Sequence, residues 1–341
     1  MRKFLRFILP VIVLSAFLLC CAPAKWVPVK QCNTGIAWPP PPAYPKIRYL
    51  GALTGFQQDG QTLSSLFFGK EDKGRIVRPV AIVRGHDNRL AIADQGRKGV
   101  HLYFPESKEY RFIFEADGES LQSPVGVAFD DQGKLYVTES LLRKILVFDA
   151  RGSFQSAITM AGNEMIQRPT GIVFNTFDKH LYVSDTLSHQ ILVFNKNGHF
   201  VSRIASRGES IGAFNFPTHL GADQRGNIYI VDSLNFRVQI YSPETLIWRM
   251  FGRHGNGSGD FASPKGVDVD RNGIIYISES LFDTVQLFDK TGRYLLAVGS
   301  KGNGQGQFWM PSGLFIDKKD RLYVCDTYNQ RVQIFQIIGE E

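Results

Sequence analysis

The stretch PSGLFIDKKDRLYVCDTYNQRVQIF, residues 311–335, decides the fold. A proline opens a short apolar run, a polar turn follows, and a second apolar run ends in an acid, Asp326. A third apolar run, Val332 to Phe335, completes the unit. Back along the chain the same order recurs from Pro79, Pro124, Pro169, Pro217 and Pro264, so that successive prolines are 45, 45, 48, 47 and 47 residues apart. The matching acids are Asp94, Glu139, Asp185, Asp232 and Glu279. A period in the forties made of short strands predicts an all-β fold, a six-bladed β-propeller with one blade per copy. The repetition also supplies a control. A residue type found in every copy builds the blade; one found in a single copy is open to another role.

The copy from Pro264 shows how a unit becomes a sheet. Gly266 to Asp270, Ile274 to Ser278, Val285 to Phe288 and Tyr294 to Val298 read as four strands. They are nearly continuous apolar runs, as expected of strands sandwiched between neighbouring layers. Gly, Asn and Asp fall between them, where turns need unusual backbone angles. The last copy has no fourth strand of its own. Ile47 to Leu53 resembles the fourth strands Phe200 to Ile204 and Tyr294 to Val298. Residues 46–54 are therefore expected to pair with the third strand of the last blade, closing the ring and removing a free sheet edge. On this reading residues 46–341 are one domain.

The pattern Pro-x-Gly-Val/Ile, then Leu/Ile-Tyr-Val/Ile-x-Asp, then Arg-Val-Gln-Ile-Phe resembles NHL repeats. It is clearest in residues 311–335 and 217–241, and it covers residues 78 to 335. No Gly-Gly pair supports kelch repeats and no Trp-Asp pair supports WD40. The resemblance implies a six-bladed propeller; it does not imply one function.

The N-terminus reads as a leader. Arg2, Lys3 and Arg6 precede an apolar run from Phe7 to Leu19, too short to span a bilayer comfortably. Leu18-Leu19-Cys20-Cys21 resembles a bacterial lipobox, with Cys21 the expected site of lipid attachment and residues 1–21 the leader. Cleavage after Ala24 is the alternative. Residues 22–45, with Pro39 to Pro42 in a row, are expected to form a stiff tether that holds the domain off a membrane. Removing the leader's three basic residues lowers the formal charge from +7 to +4. That remainder and export together argue against a nucleic-acid partner. Cys32 and Cys325 are the other cysteines, and an oxidising compartment would permit them to pair.

Three motifs imitate functional sites but recur with the repeat. Asp268 to Gly273 with Glu279 imitates a calcium loop. However, a hairpin placing Asp268 opposite Ile275 leaves Glu279 about 13 Å away, so one ion cannot take both. Gly255 to Gly259 and Gly302 to Gly306 occupy equivalent inter-blade connections and read as loop turns rather than phosphate cradles. Five of the six acids precede Ser or Thr: Ser140, Thr186, Ser233, Ser280 and Thr327. Such pairs cap turns, although a ring of Asp94, Glu139, Asp185, Asp232, Glu279 and Asp326 near the channel is also a candidate anionic rim.

His219 breaks the pattern, standing where the other copies place Ala81, Gly126, Gly171, Gly266 and Gly313. It is expected near the channel mouth on the acid-bearing face, with Lys265 a second candidate contact. Propellers that act as lyases or lactonases place metal ligands around such a channel. The peptide-amidating lyase, which the chain resembles in fold, uses several histidines, whereas here one copy offers His. No Gly-x-Ser-x-Gly or His-Glu-x-x-His occurs, and no cofactor motif is present. The expectation is therefore a lipid-anchored, non-enzymatic module of the bacterial envelope that binds a protein, peptide or glycan, with an envelope redox assembly as a candidate partner. The alternative is a metal-dependent lyase or lactonase at the channel mouth.

Overall fold

The computed structural model describes residues 25–32, 35–40, 42–59, 74–204 and 206–339. Five sheets have four antiparallel strands each, taken in sequence order from the axis outward. They begin at Pro79, Pro124, Pro169, Pro217 and Pro264. The sixth sheet is built from Pro311–Ile316, Arg321–Asp326 and Arg331–Ile337. We number these blades one to six. The first strands of consecutive blades adjoin all the way round, Pro311–Ile316 meeting Pro79–Arg84, so the ring is closed.

Closure uses the expected segment. Ile47–Gln58 pairs with the third strand of blade six in the register Ile47 to Ile337 and Leu53 to Val332. The tether expectation needs correction. Trp26–Cys32 adds a further strand outside Ile47–Gln58, and Ala37–Trp38 pairs with it as well. A Val-x-Val-type run beside an exposed edge recruits its backbone into the sheet. Trp26 also packs on Tyr110 of blade one, and Trp38 packs on Phe335. The leader and Cys21 lie outside the described residues.

The same register excludes a Cys32–Cys325 disulfide. Cys32 pairs with Gly51, Gly51 with Ile334, and Ile334 with Tyr323, two residues from Cys325. Three strand spacings, about 14 Å, separate the two strands, far beyond disulfide reach. Cys325 is a buried free thiol.

Two sets of polar contacts position each blade, the first at its own entry and the second against the next blade. The first is the acid that ends the second strand. Asp94 accepts the backbone N–H groups of Val77 and Arg78 at 2.7 and 2.9 Å. Glu139 accepts those of Gln122 and Ser123, Asp185 those of Gln167 and Arg168, and Glu279 those of Ala262 and Ser263. Asp232 and Asp326 take one each, from Asn215 and Trp309. Their remaining capacity goes to Arg237 and Gln239, and to Arg331 and Gln333. The second set is the hydroxyl after the acid. Ser140, Thr186, Ser233, Ser280 and Thr327 donate to the carbonyls of Pro169, Pro217, Pro264, Pro311 and Pro79, each in the following blade. Blade one has Gln95 instead, which donates to Ser123.

The glycine-rich connections are loops, as expected. The side chains of Gln239, Gln286 and Gln333 each accept one N–H from a connection, at Gly212, Gly259 and Gly306, and donate to a carbonyl in the same connection. Phe214, Phe261 and Phe308 close these loops and are fully buried.

These contacts predict unequal costs. Thr186→Val removes the hydroxyl bonds to the Pro217 carbonyl and the Thr170 hydroxyl and should lower stability by about 1–2 kcal/mol in urea unfolding. Asp232→Ala strands a buried guanidinium and should cost about 3–5 kcal/mol. Equal losses would show that the carboxylate does not hold the connection.

Candidate functional site

The channel walls are the first strands, and residues two and four places after each repeat proline line it, except Gly266 in blade five. At the first level stand Ala81, Gly126, Gly171, His219, Gly266 and Gly313. Small residues are required here because neighbouring backbones nearly touch. A Cβ at Gly266 would lie 2.6 Å from the Ser312 carbonyl oxygen and 2.8 Å from the Leu314 nitrogen. At the second level stand Val83, Ala128, Val173, Gly221, Asp268 and Phe315. Apart from His219, Asp268 and Phe315 these side chains are small or aliphatic, and together they leave a cavity of about 920 Å³.

The cavity runs from the ring of His219 to the turns between first and second strands, where His86, Lys318 and Lys319 are exposed. This corrects the expected position of His219. It lies at the closed inner end, and the mouth is at the face opposite the acids. Both ring nitrogens of His219 are sealed from solvent and lack a hydrogen-bond partner among the described residues. Burial first, and then the nearby Lys265 ammonium, lower its pKa to about 4, while the Val80 carbonyl in the opposite blade favours protonation. His219 is therefore a neutral imidazole at pH 7.

Asp268 was legible only as part of the calcium decoy. Its strand is shifted by one residue from the expected register, so that it pairs with Tyr276 rather than Ile275. Its carboxyl accepts the N–H of Ile316 in blade six at 2.7 Å and that of Val269 at 2.9 Å. Burial raises its pKa to about 7 against these bonds. The signal that identifies it is the repeat itself: the equivalent residues in the other five copies carry no charge.

The candidate anionic rim is corrected too. Asp94, Glu139, Asp185, Asp232, Glu279 and Asp326 are at most 1 % exposed, and none lines the cavity. Their oxygens are spent on the bonds described above. His101, buried beside Asp94, belongs to the same framework, with its Nε2 3.1 Å from the carboxylate and its Nδ1 2.9 Å from the Tyr110 hydroxyl. Lys265 also stays outside the cavity lining. Burial lowers its pKa, opposed by the charge of Glu279. Among the described residues no three His, Cys, Asp or Glu side chains converge as a metal site would require. The residues present therefore do not fit the metal that the lyase or lactonase alternative needs.

At the mouth, several charges are already matched. Arg84 of blade one reaches Asp317 and Tyr323 of blade six at 3.0 and 2.9 Å. Lys179 pairs with Asp131, and Arg271 with Asp320. Lys318 and Lys319 have no ion-pair partner among the described residues, which leaves one side of the mouth cationic.

His219 and Asp268 act on stability in opposite senses. His219 titrates near 4 when folded and near 6.5 when unfolded, so the unfolded chain holds the extra proton between these values. Its contribution makes stability rise with pH through that window. Asp268 titrates near 7 folded and near 3.8 unfolded, so the folded chain holds the extra proton, and its contribution falls as pH rises from about 4 to 7. Where the windows overlap the two slopes offset. Asp268→Asn should therefore show a Tm that climbs more steeply than wild type between about pH 4.5 and 6.5. His219→Phe should climb less, or fall. Parallel profiles for all three proteins would refute buried titration at both sites.

Comparison with known proteins agrees with this architecture. A family model described as a 6-bladed β-propeller matches residues 166–248, and the NHL repeat model matches residues 308–335. No curated protein matches the sequence. Among solved structures, a gluconolactonase from Xanthomonas campestris is 16% identical with a TM-score of 0.60, over 91% of this chain and all of that one. A catalytically inactive virginiamycin B lyase from Staphylococcus aureus, solved with quinupristin, is 11% identical with a TM-score of 0.57, over 76% of this chain and 95% of that one. An auxiliary nutrient binding protein from Bacteroides thetaiotaomicron is 13% identical with a TM-score of 0.59, over 77% of this chain and 70% of that one. At these identities the likeness is one of fold. The chain is a six-bladed β-propeller whose last blade matches the NHL repeat.

Proposed function

We propose that the protein is a non-enzymatic binding module of the bacterial envelope, tethered to a membrane through a lipid on Cys21. It holds a neutral, hydroxyl- or amide-bearing ligand, a glycan or a peptide segment, in the channel cavity. The observation that carries this reading is the cavity of about 920 Å³ itself, with the neutral His219 imidazole at its inner end and the Asp268 carboxyl, titrating near 7, in its wall. A cavity with a few polar groups set in an apolar wall suits a ligand that brings both. The aromatic ring of Phe315 in the same wall suits an apolar ligand face. An accessory place beside an envelope redox assembly is compatible with such a role.

The competing reading is a metal-dependent lyase or lactonase, chemistries named among proteins of similar fold. The dispersed titratable groups speak against it. Two measurements separate the readings. Protein purified from native membranes should carry no stoichiometric zinc or calcium. One equivalent of metal, lost in His219→Ala, would overturn the binding reading. In a pull-down from the same membranes, wild type should retain a glycan or peptide component that His219→Ala combined with Asp268→Asn loses about tenfold or more, as two lost polar contacts imply. Retention by both proteins would place binding elsewhere. Mass spectrometry of the mature N-terminus checks the tether: a free amine at Lys25 would exclude lipid at Cys21.

A further inference from the structure

The face opposite the cavity mouth carries a second repeated feature. Two residues after each acid, at the tip of the connection from second to third strand, stand Leu141, Leu187, Leu234, Leu281 and Tyr328 in blades two to six. They are 68, 48, 51, 61 and 41% exposed. Recurrence in the repeat normally marks a residue that builds the blade, but side chains this exposed bury nothing in the core. Trp309 and Met310 extend the ring next to Tyr328 and are exposed as well. Blade one has Gly96 at this position, flanked by polar residues.

Cations surround the apolar tips. Arg78, Arg143, Arg168, Arg207 and Lys301 lie on this face's connections and are exposed, with no ion-pair partner among the described residues. Of the exposed acids on the same connections, Asp117 and Glu119 pair with Lys144 and Glu164 pairs with Arg203, which leaves Glu115 and Glu209 against these five cations. By contrast, the turns between first and second strands at the cavity mouth are polar and charged, with Phe177 as their exposed apolar residue. Rotation about one axis puts equivalent tips at one height, so the five apolar side chains reach a common plane. A planar apolar ring with interfacial Trp and Tyr and a cationic surround matches the acyl–headgroup boundary of an anionic bilayer.

We infer that this face docks on an anionic lipid surface, leaving the cavity mouth turned away from the membrane. The inference is independent of the cavity ligand. It is tested by hydrogen exchange on the full chain reconstituted in phosphatidylcholine vesicles with and without phosphatidylglycerol. Exchange at residues 141–143, 187–189, 234–236 and 281–283 should slow on the order of tenfold in anionic vesicles alone. High salt should reverse the effect. Leu141→Ser with Leu281→Ser, at sites too exposed to disturb the core, should keep its Tm and lose the protection. The inference falls if the tips exchange equally fast in both vesicles, or if protection persists in the variant. It also falls if protection appears only after membrane proteins are added, which would assign the face to a protein partner.

Discussion

Every blade of this protein is positioned by a carboxylate that has been removed from water. The acid at the end of each second strand is buried, and burial of a charge is tolerated only when hydrogen bonds replace its hydration. Here the replacement donors are backbone N–H groups just ahead of the repeat proline. Because proline offers no N–H of its own and fixes the backbone angle that follows, the chain enters each first strand in one way. The hydroxyl after the acid then reaches the proline carbonyl of the next blade. One dipeptide thus sets both the entry to its own blade and the spacing to its neighbour.

This accounts for tolerance elsewhere. Blades two and three follow their predecessors through small hairpins, Glu115–Ala116 with Glu119–Ser120 and Met160–Ala161 with Glu164–Met165. Blades four to six are joined by glycine-rich loops closed by a buried phenylalanine. The two connections differ in sequence and length, yet the carboxylate meets equivalent backbone donors in each. Where a blade lacks the Arg and Gln that support Asp232 and Asp326, another group substitutes. In blade one it is His101, whose pKa is lowered chiefly by burial even though Asp94 favours its charged form. For Asp94 itself, burial works against the charged form. The hydrogen bond from His101 and the two backbone donors outweigh it, and the carboxylate stays below its usual range.

The fold was legible because its determinants recur. Six prolines and six acids at near-constant spacing specify the ring, and Ile47 to Leu53 resembled a fourth strand closely enough to locate the closure. The site was less legible for the same reason in reverse. Asp268 and His219 each occur once, and only alignment of the copies shows that both stand where the channel requires small or apolar residues. A one-residue difference at the hairpin then decides which cross-strand partner Asp268 meets. The six acids misled because charge near an axis suggests a ligand, whereas sequence does not reveal which carboxylates are already saturated by backbone donors. The strand Trp26–Cys32 was missed because proline-rich context masked an alternating segment whose edge partner lies about 25 residues away in sequence.

The two faces of the ring follow from where the repeat permits variation. Positions that touch the next backbone admit little beyond glycine or alanine, so a single larger residue there, His219, closes the channel and converts a tube into a cup. The tips beyond the acids lie about half exposed or more, apart from Tyr328 at 41%, so core packing constrains them weakly, and yet four of six carry leucine and a fifth tyrosine. Solubility favours polar residues at such positions. Their retention as apolar residues is intelligible if something other than water meets that face. On the docking proposed above, the cup would open away from the surface at a fixed height. The short polar hydrogen bonds between blades keep the ring rigid enough for both faces to work at once.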